Sequence, residues 1–114
     1  MSHEWRDPFG QLDWLSSELL KAESNNELVH IISHVPSGGQ NCLGAWGREF
    51  GRIIERFENT VVNQFYGHTH YDEFYIIYDE ETNSRAVSMG FVTPSVTAWE
   101  DINPAYRYFC MFTR

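Results

Sequence analysis

A short apolar run between two amphipathic segments most constrains how this chain can fold. The run is Leu28-Val29-His30-Ile31-Ile32, which is typical of a buried strand with both faces covered. Before it, leucines repeat at helical spacing at Leu12, Leu15 and Leu19. After it, five residues fall on one face of a second helix: Trp46, Phe50, Ile53, Ile54 and Phe57. This order indicates a layered α/β fold.

The ends of the first helix are marked by residues that favour helix boundaries. Asp7 is a good N-cap, and Pro8 loses no needed hydrogen bond at the first helical position. We therefore expect the helix to begin at Pro8 and to run to about Ala22, with Asn25 and Asn26 ending it.

The second half of the chain is predicted to consist mainly of short strands. Residues 61–66, 74–78, 87–92 and 106–112 are the candidates, and Gly67 stops the first of them. Residues 36–41 are predicted to be a loop, 80–84 a polar turn and 94–104 an irregular stretch. With 114 residues, the chain is expected to form at most one domain, an α/β (α+β layered) core with an added meander.

Composition excludes several classes of protein. A hydrophobic content of 42% is too high for a disordered chain, and a formal charge of −8 disfavours nucleic acid or an anionic membrane as partner. No apolar run approaches the roughly 20 residues of a transmembrane helix, and the start lacks a signal-peptide pattern. Cys42 and Cys110 are too few for a disulfide framework and lack the spacing of a structural zinc site.

The sequence Gly67-His68-Thr69-His70 follows a predicted strand directly. Residues i and i+2 of a strand share a face, and a loop can turn both imidazoles toward one cavity. Gly67 is expected to let the backbone bend, or take a positive φ, close to an ion. Because neutral imidazole is a common zinc ligand, the pattern favours a metal site, although two solvated loop histidines would look the same.

His34 ends the first predicted strand, at the edge where α/β folds gather ligands. A capped or core histidine is the alternative for a single histidine at that position. His30 lies inside the same strand and is interpreted as structural. A cupin site is disfavoured because Glu73 follows His70 by only three positions, and the flanking glycines are missing. No fourth ligand or general base is fixed by spacing.

Two longer stretches surround and follow the histidine pattern: Gln64-Phe65-Tyr66-Gly67-His68-Thr69-His70-Tyr71-Asp72-Glu73-Phe74 and Tyr78-Asp79-Glu80-Glu81-Thr82. Through them the chain closely resembles the acid sphingomyelinase family of calcineurin-like metallophosphoesterases. The resemblance extends from about Asp7 to Phe112. It implies the C-terminal portion of a β-sandwich flanked by helices, and a secreted or lysosomal enzyme that cleaves sphingomyelin to ceramide and phosphocholine. It also implies a two-zinc site in which His34 and His68 bind one zinc and His70 the other.

Several features of the family do not occur in this sequence. Its Asp-x-His, Gly-Asp and Gly-Asn-His motifs are missing, and with them the metal-bridging aspartate, an asparagine ligand and the histidine that protonates the leaving group. The saposin-like domain is missing too. We therefore assign no catalytic residue and expect at most a partial zinc site, inactive without the N-terminal half. The alternative is a non-catalytic remnant that binds metal or choline, or a truncated gene product.

Two further residues take their interpretation from the resemblance. Trp99 stands where the family has a tyrosine near the substrate, and we predict that its ring holds the choline group by a cation–π contact. A loop anchor packed on the sheet is the alternative. In the family, the cysteine at the Cys42 position pairs with one upstream of this chain, so Cys42 is predicted to be a free thiol that does not pair with Cys110.

Overall fold

The computed structural model describes residues 7–110. Within that range the regular elements are α1 Gln11–Ser24, β1 Val29–Ile32, α2 Gly44–Arg56, β2 Val61–Tyr66, β3 Glu73–Tyr78 and β4 Ala86–Val92. A short 3-10 helix, Trp99–Asp101, follows β4. The predicted α/β class is confirmed. No helix in this part of the chain is long and apolar enough to cross a bilayer.

The four strands form one mixed sheet in the order β1-β2-β4-β3. β1 and β4 each run parallel to β2, whereas β3 runs antiparallel to β4. The predicted meander is therefore correct for the β3–β4 hairpin but wrong for the strand before it, because β4 lies between β2 and β3. The described residues form a single sheet, and the second sheet of a sandwich stays a prediction.

The strand predicted over residues 106–112 is wrong for the described residues, since 102–110 form no regular structure. Phe109 packs instead against Phe65 and Phe91 on the sheet, with ring centroids 4.7 and 5.2 Å apart. Its apolar side chain covers part of the sheet face, whereas its backbone does not pair with a strand. Residues 111 and 112 lie outside the described part.

The first helix begins three residues later than predicted, at Gln11 instead of Pro8. Gly10 occupies the N-cap position with a left-handed φ of 67°, which glycine adopts without steric cost. Asp7 still stabilises the helix start, because its Oδ2 accepts hydrogen bonds from the backbone N–H groups of Leu12 (2.9 Å) and Asp13 (3.1 Å). The helix ends at Ser24, as expected from the two asparagines.

Both helices contribute to a single core with the sheet. Leu19 and Ile54 are almost fully buried at its centre, at 1% and 0% exposure. The buried cluster is completed by Leu12, Phe50, Phe57 and Val61. Each such side chain contributes about 1.5–3 kcal/mol on burial, so this cluster is the main source of stability of the described fold.

The other face of the sheet is largely open. One residue from each strand forms a cross-strand row, the apolar row, which consists of Ile32, Phe65, Phe91 and Phe74. Ile32 is 82% exposed and Phe74 is 65% exposed at the two ends of the row. The prediction that β1 is covered on both faces is therefore wrong. His30, interpreted as structural, is exposed on this open side, with its ring 5.8 Å from that of Phe65.

The predicted polar turn between β3 and β4 is confirmed, and Asp79 organises it. Its carboxylate accepts hydrogen bonds from Thr82 N–H and hydroxyl, from Ser84 N–H and from Arg85 N–H, at 2.6–3.1 Å. These bonds, that from the Thr82 hydroxyl most of all, lower the pKa of Asp79 well below its usual range. The stability they contribute is thus present above the ordinary carboxyl pKa and is lost as the pH falls through the lowered value.

Gly90 in β4 lies directly opposite Tyr75 in β3, whose ring covers it. A Cβ atom added to Gly90 would overlap the ring and lie 2.7 Å from its hydroxyl oxygen. The ring cannot easily move away, because it packs on Tyr66 with centroids 5.7 Å apart. Glycine is therefore required at this position of the central strand.

We expect Gly90→Ala to lower the free energy of unfolding by about 1–3 kcal/mol, the usual cost of overpacking a core. Gly51→Ala is the matched control, because a Cβ at Gly51 in α2 meets nothing within 4 Å. That control should stabilise the protein by about 0.5–1 kcal/mol through helix propensity. Urea unfolding of the three proteins measures both effects. Equal stability of the Gly90→Ala variant and the wild type would contradict the proposed packing.

Candidate functional site

Two predicted ligands meet at one edge of the sheet. Because β1 and β2 are parallel, their carboxyl ends lie side by side. His34 and His68 each follow their strand by two residues. Backbone bonds extend the pairing beyond the strands, from Ser33 N–H to Phe65 O and from Gly67 N–H to His34 O, both at 3.0 Å. The two imidazole rings stand edge to face with centroids 5.3 Å apart.

His68 has a second partner in the loop that leads from β1 to α2. Its Nε2 lies 3.0 Å from the side-chain oxygen Oδ1 of Asn41. No sequence pattern selects Asn41, since an asparagine in a loop rich in glycine and serine is ordinary turn composition. The only signal was its position in the loop that follows His34.

The histidine turn itself is strained. His68 and His70 have φ values of 79° and 68°, in the left-handed region that costs an ordinary side chain roughly 1–2 kcal/mol. Of the two possibilities expected for Gly67, a bend or a positive φ, the positive φ does not occur there; the positive values fall on His68 and His70. The Gly67 N–H donates a hydrogen bond to the His34 carbonyl oxygen. A Cβ atom added to Gly67 would make only ordinary contact with the His34 ring, at 3.5 Å. Strain of this kind occurs frequently at binding sites.

Three polar contacts hold the strained turn. The Thr69 hydroxyl donates to Glu73 Oε2 at 2.7 Å and accepts from Tyr71 N–H at 3.3 Å. Ser95 N–H donates to the His70 carbonyl at 3.2 Å. Glu73, which the sequence suggested only as part of a cupin spacing, is thus a partner of the turn. Ser95 could not have been selected from the sequence, because its contact uses the backbone.

The strand that leads to this turn is fixed by a buried polar network. Gln64 is fully buried; it accepts a hydrogen bond from the Tyr66 hydroxyl at 2.7 Å and donates to Ser88 Oγ in β4 at 2.8 Å. Burial raises the pKa of Tyr66, which therefore remains a neutral donor. The network ties β2 to β4 and gives the histidine turn a rigid base.

Zinc suits the donors at this edge only in part. Imidazole nitrogen is a good zinc ligand, and His34 and His68 are close together, but structural zinc normally takes four ligands. Among residues 7–110, no group of three or more His, Cys, Asp and Glu side chains is arranged to hold a metal. The described residues thus supply two neighbouring imidazoles, with His70 beyond them at the end of the strained turn.

Two open clefts border the loops that form this edge. The first, of about 380 Å³, is lined by His34, Asn41 and Cys42 together with apolar groups that include Leu43 and Trp46. The second, of about 660 Å³, is lined by polar groups that include Ser37, Thr69 and Glu73. The first cleft therefore leaves space for a ligand next to the His34 imidazole, and the second leaves space beside Thr69 of the histidine turn.

Trp99 lies in the 3-10 helix, and its side chain is 67% exposed. The chain that leads to it is linked to the histidine turn at Ser95, four residues earlier, through the contact with His70. Two further bonds shape this segment, from Thr97 N–H to Ser95 Oγ at 3.2 Å and from Trp99 N–H to Thr97 Oγ1 at 3.3 Å. The ring does not point into the core, and its contact with choline stays a prediction.

Cys42 and Cys110 form no disulfide, so the prediction that they do not pair with each other is confirmed; that Cys42 is a free thiol stays a prediction. Cys42 is half-buried beside Asn41, whereas Cys110 is exposed in the last described segment.

Comparison with known proteins identifies relatives over most of the chain. It is 52% identical over 103 residues to sphingomyelin phosphodiesterase of Bos taurus and 50% identical to that of Homo sapiens, with 90% of this chain covered in each case. It is 32% identical to acid sphingomyelinase-like phosphodiesterase 3b of Homo sapiens, with 96% of this chain and 27% of that protein covered. The chain spans 16% of the length of both mammalian sphingomyelin phosphodiesterases. No protein-family model matches it.

Proposed function

This chain is homologous to part of the sphingomyelin phosphodiesterases, and we propose that it provides the histidine edge of a zinc-dependent phosphodiesterase site. The observation that carries the proposal is the meeting of His34 and His68 at adjacent ends of parallel strands, with rings 5.3 Å apart. By the relatives' names, the substrate of the complete site would be sphingomyelin.

A secreted or lysosomal location belongs to the same proposal, and immunolocalisation against a lysosomal marker tests it.

The described residues have distinct tasks in this proposal. His34 and His68 would offer imidazole nitrogens as ligands at one edge of the sheet, and the strained turn would add His70 as a third imidazole. Thr69 and Glu73 keep that turn in place. Bound zinc ions would supply an activated water and a clamp for phosphate oxygens. A general acid for the leaving group is not among the residues we assign.

We further propose that these residues form only part of the site. Three imidazoles are too few for two zinc ions, and the sequence lacks the Asp-x-His and Gly-Asn-His motifs. The apolar row on the open sheet face supports the same view, because Ile32 and Phe74 are left exposed there. A second polypeptide segment that packs on this face could bring the remaining ligands to the same edge.

A non-catalytic role is the second candidate, favoured by the finding that residues 7–110 contain no group of three potential ligands. In that case the histidine edge would bind metal weakly, and Trp99 would bind choline, without hydrolysis. The two candidates differ in whether turnover appears once another polypeptide segment supplies the missing metal-ligating residues.

The first prediction from the proposed function concerns zinc. We expect one weakly held zinc ion per chain, with an affinity that falls roughly tenfold or more in His34→Ala and in His68→Ala. His30→Ala is the matched control, since it removes an exposed imidazole from β1, four residues before His34. Competition with a chromophoric chelator measures the affinity. Two zinc ions retained per chain after dialysis against a mild chelator would contradict the partial site.

The second prediction concerns hydrolysis. The chain alone should cleave sphingomyelin no faster than a His68→Ala, His70→Ala variant. The reason is that its sequence lacks the Asp-x-His and Gly-Asn-His motifs, and with them the histidine expected to protonate the leaving oxygen. Fusion to the part of a relative that contains Asp-x-His and Gly-Asn-His should produce zinc-dependent turnover, which the same double substitution abolishes and His30→Ala does not. Turnover by the chain alone would contradict the partial site. A folded fusion without turnover would favour the non-catalytic role.

The third prediction concerns Trp99. A cation–π contact contributes about 0.5–2 kcal/mol, so Trp99→Ala should weaken phosphocholine binding by about 2- to 30-fold and Trp99→Phe by less. Trp14→Ala is the matched control, because Trp14 in α1 is similarly exposed, at 63% against 67%. Titration calorimetry with phosphocholine and with inorganic phosphate separates the two ends of the ligand. An equal loss for both ligands would show that Trp99 does not recognise the ammonium group.

A further inference from the structure

We propose that Asn41 is a positioning residue that holds His68 in the tautomer protonated on Nε2. A neutral imidazole has one N–H and one lone pair, and which nitrogen has the proton is set by its hydrogen-bond partner. The amide oxygen of Asn41 lies 3.0 Å from Nε2 of His68. An oxygen of this kind only accepts, so Nε2 must donate, and Nδ1 is left as the free lone pair of the ring.

The backbone around Asn41 is suited to fix this contact. Two successive turns shape the loop, with bonds from Gly39 N–H to Pro36 O at 3.3 Å and from Cys42 N–H to Gly39 O at 2.9 Å. Gly38 packs against the first turn of α2, where a Cβ on Gly47 would come within 3.3 Å of the Gly38 nitrogen. Asn41 is thus presented to His68 from a loop that is held at both ends.

His68 in turn needs an external partner to fix its ring. Its backbone is in the left-handed region, with a φ of 79°, where local preference does not select the observed conformation. The His34 ring lies against it edge to face, with centroids 5.3 Å apart, a contact that does not select either ring nitrogen as the donor. The bond to Asn41 is therefore the contact that defines both the orientation of the ring and its protonated nitrogen.

The consequence for metal binding rests on the proposed function. A histidine that binds a metal through one nitrogen usually donates its other N–H to an oxygen acceptor, which fixes the ring and raises its basicity. Asn41 Oδ1 is such an acceptor for His68, so a zinc ion at this edge would be bound through Nδ1. This extends the site to the loop after β1, which the sequence pattern did not select.

The test is nitrogen NMR of the complete chain with labelled histidine, without metal and at mildly alkaline pH, where imidazole is neutral. We expect the His68 proton on Nε2, with slowed exchange against water. Asn41→Ala should abolish the slowed exchange, whereas Asn41→Asp, which keeps an oxygen acceptor, should retain it. Gln40→Ala is the matched control, because it removes an exposed amide from the neighbouring position. Circular dichroism and the backbone amide spectrum verify that each variant is folded.

The NMR results separate this inference from the proposed function. A wild-type His68 protonated on Nδ1, or an unchanged Nε2 proton in folded Asn41→Ala, would overturn it. Zinc titration provides the second measurement, in which Asn41→Ala should lower the affinity by about 10- to 100-fold and Gln40→Ala should not. If the Nε2 signature holds but the wild type binds no zinc, the proposed function is wrong and the positioning of His68 by Asn41 stands.

Discussion

Parallel pairing of β1 with β2 is the constraint on which the rest of the structure depends. The ladder starts at the first residue of β1, with the bond from Val29 N–H to Thr60 O, and continues beyond both strands to the bond from Gly67 N–H to His34 O. Two parallel strands require a long crossover, and α2 with its loops provides it. The pairing therefore sets the position of α2 in the core and brings the ends of both strands, with their histidines, to one edge.

The two faces of the sheet have opposite properties. The helices close one face over Leu19 and Ile54, and Gln64 is satisfied within it by a buried network. On the other face the apolar row is partly covered by Phe109 and Arg107, while Ile32 and Phe74 at its two ends are exposed. The closed, well-packed face thus adjoins an edge of the sheet where His68 and His70 adopt unfavourable backbone conformations. Stability from the core offsets strain at the edge, which is the usual arrangement at binding sites.

Charge has a separate consequence for any phosphate ligand. The chain has a formal charge of −8, and the histidine turn has acidic neighbours in Glu73 and Asp72. Asp72 is paired with Arg107 at 2.7 Å, whereas Glu73 accepts from Thr69. The formal charge of −8 counts the histidines as uncharged. Under the proposed function, attraction of a phosphate to this edge would depend on the bound cation, the largest local charge in such a site.

The sequence by itself determined the elements that depend on local pattern. Helical spacing predicted both helices, and short apolar runs with glycine and asparagine at their ends predicted β1 to β4 within one or two residues. The imidazoles of the edge could be selected from two local signals. Gly67-His68-Thr69-His70 follows the end of a strand, and His34 lies at the end of an earlier one. These features could be predicted because each is encoded within a few consecutive residues.

Only the tertiary structure decided the features that depend on distant partners. The position of β4 between β2 and β3 results from pairing across the sheet, and Phe109 packs on Phe65 and Phe91 instead of extending a strand. The positive φ values of His68 and His70 and the contact of Asn41 with His68 exist because separate loops meet at the end of parallel strands. No local propensity encodes such a meeting, since it is selected by the free energy of the whole packed arrangement.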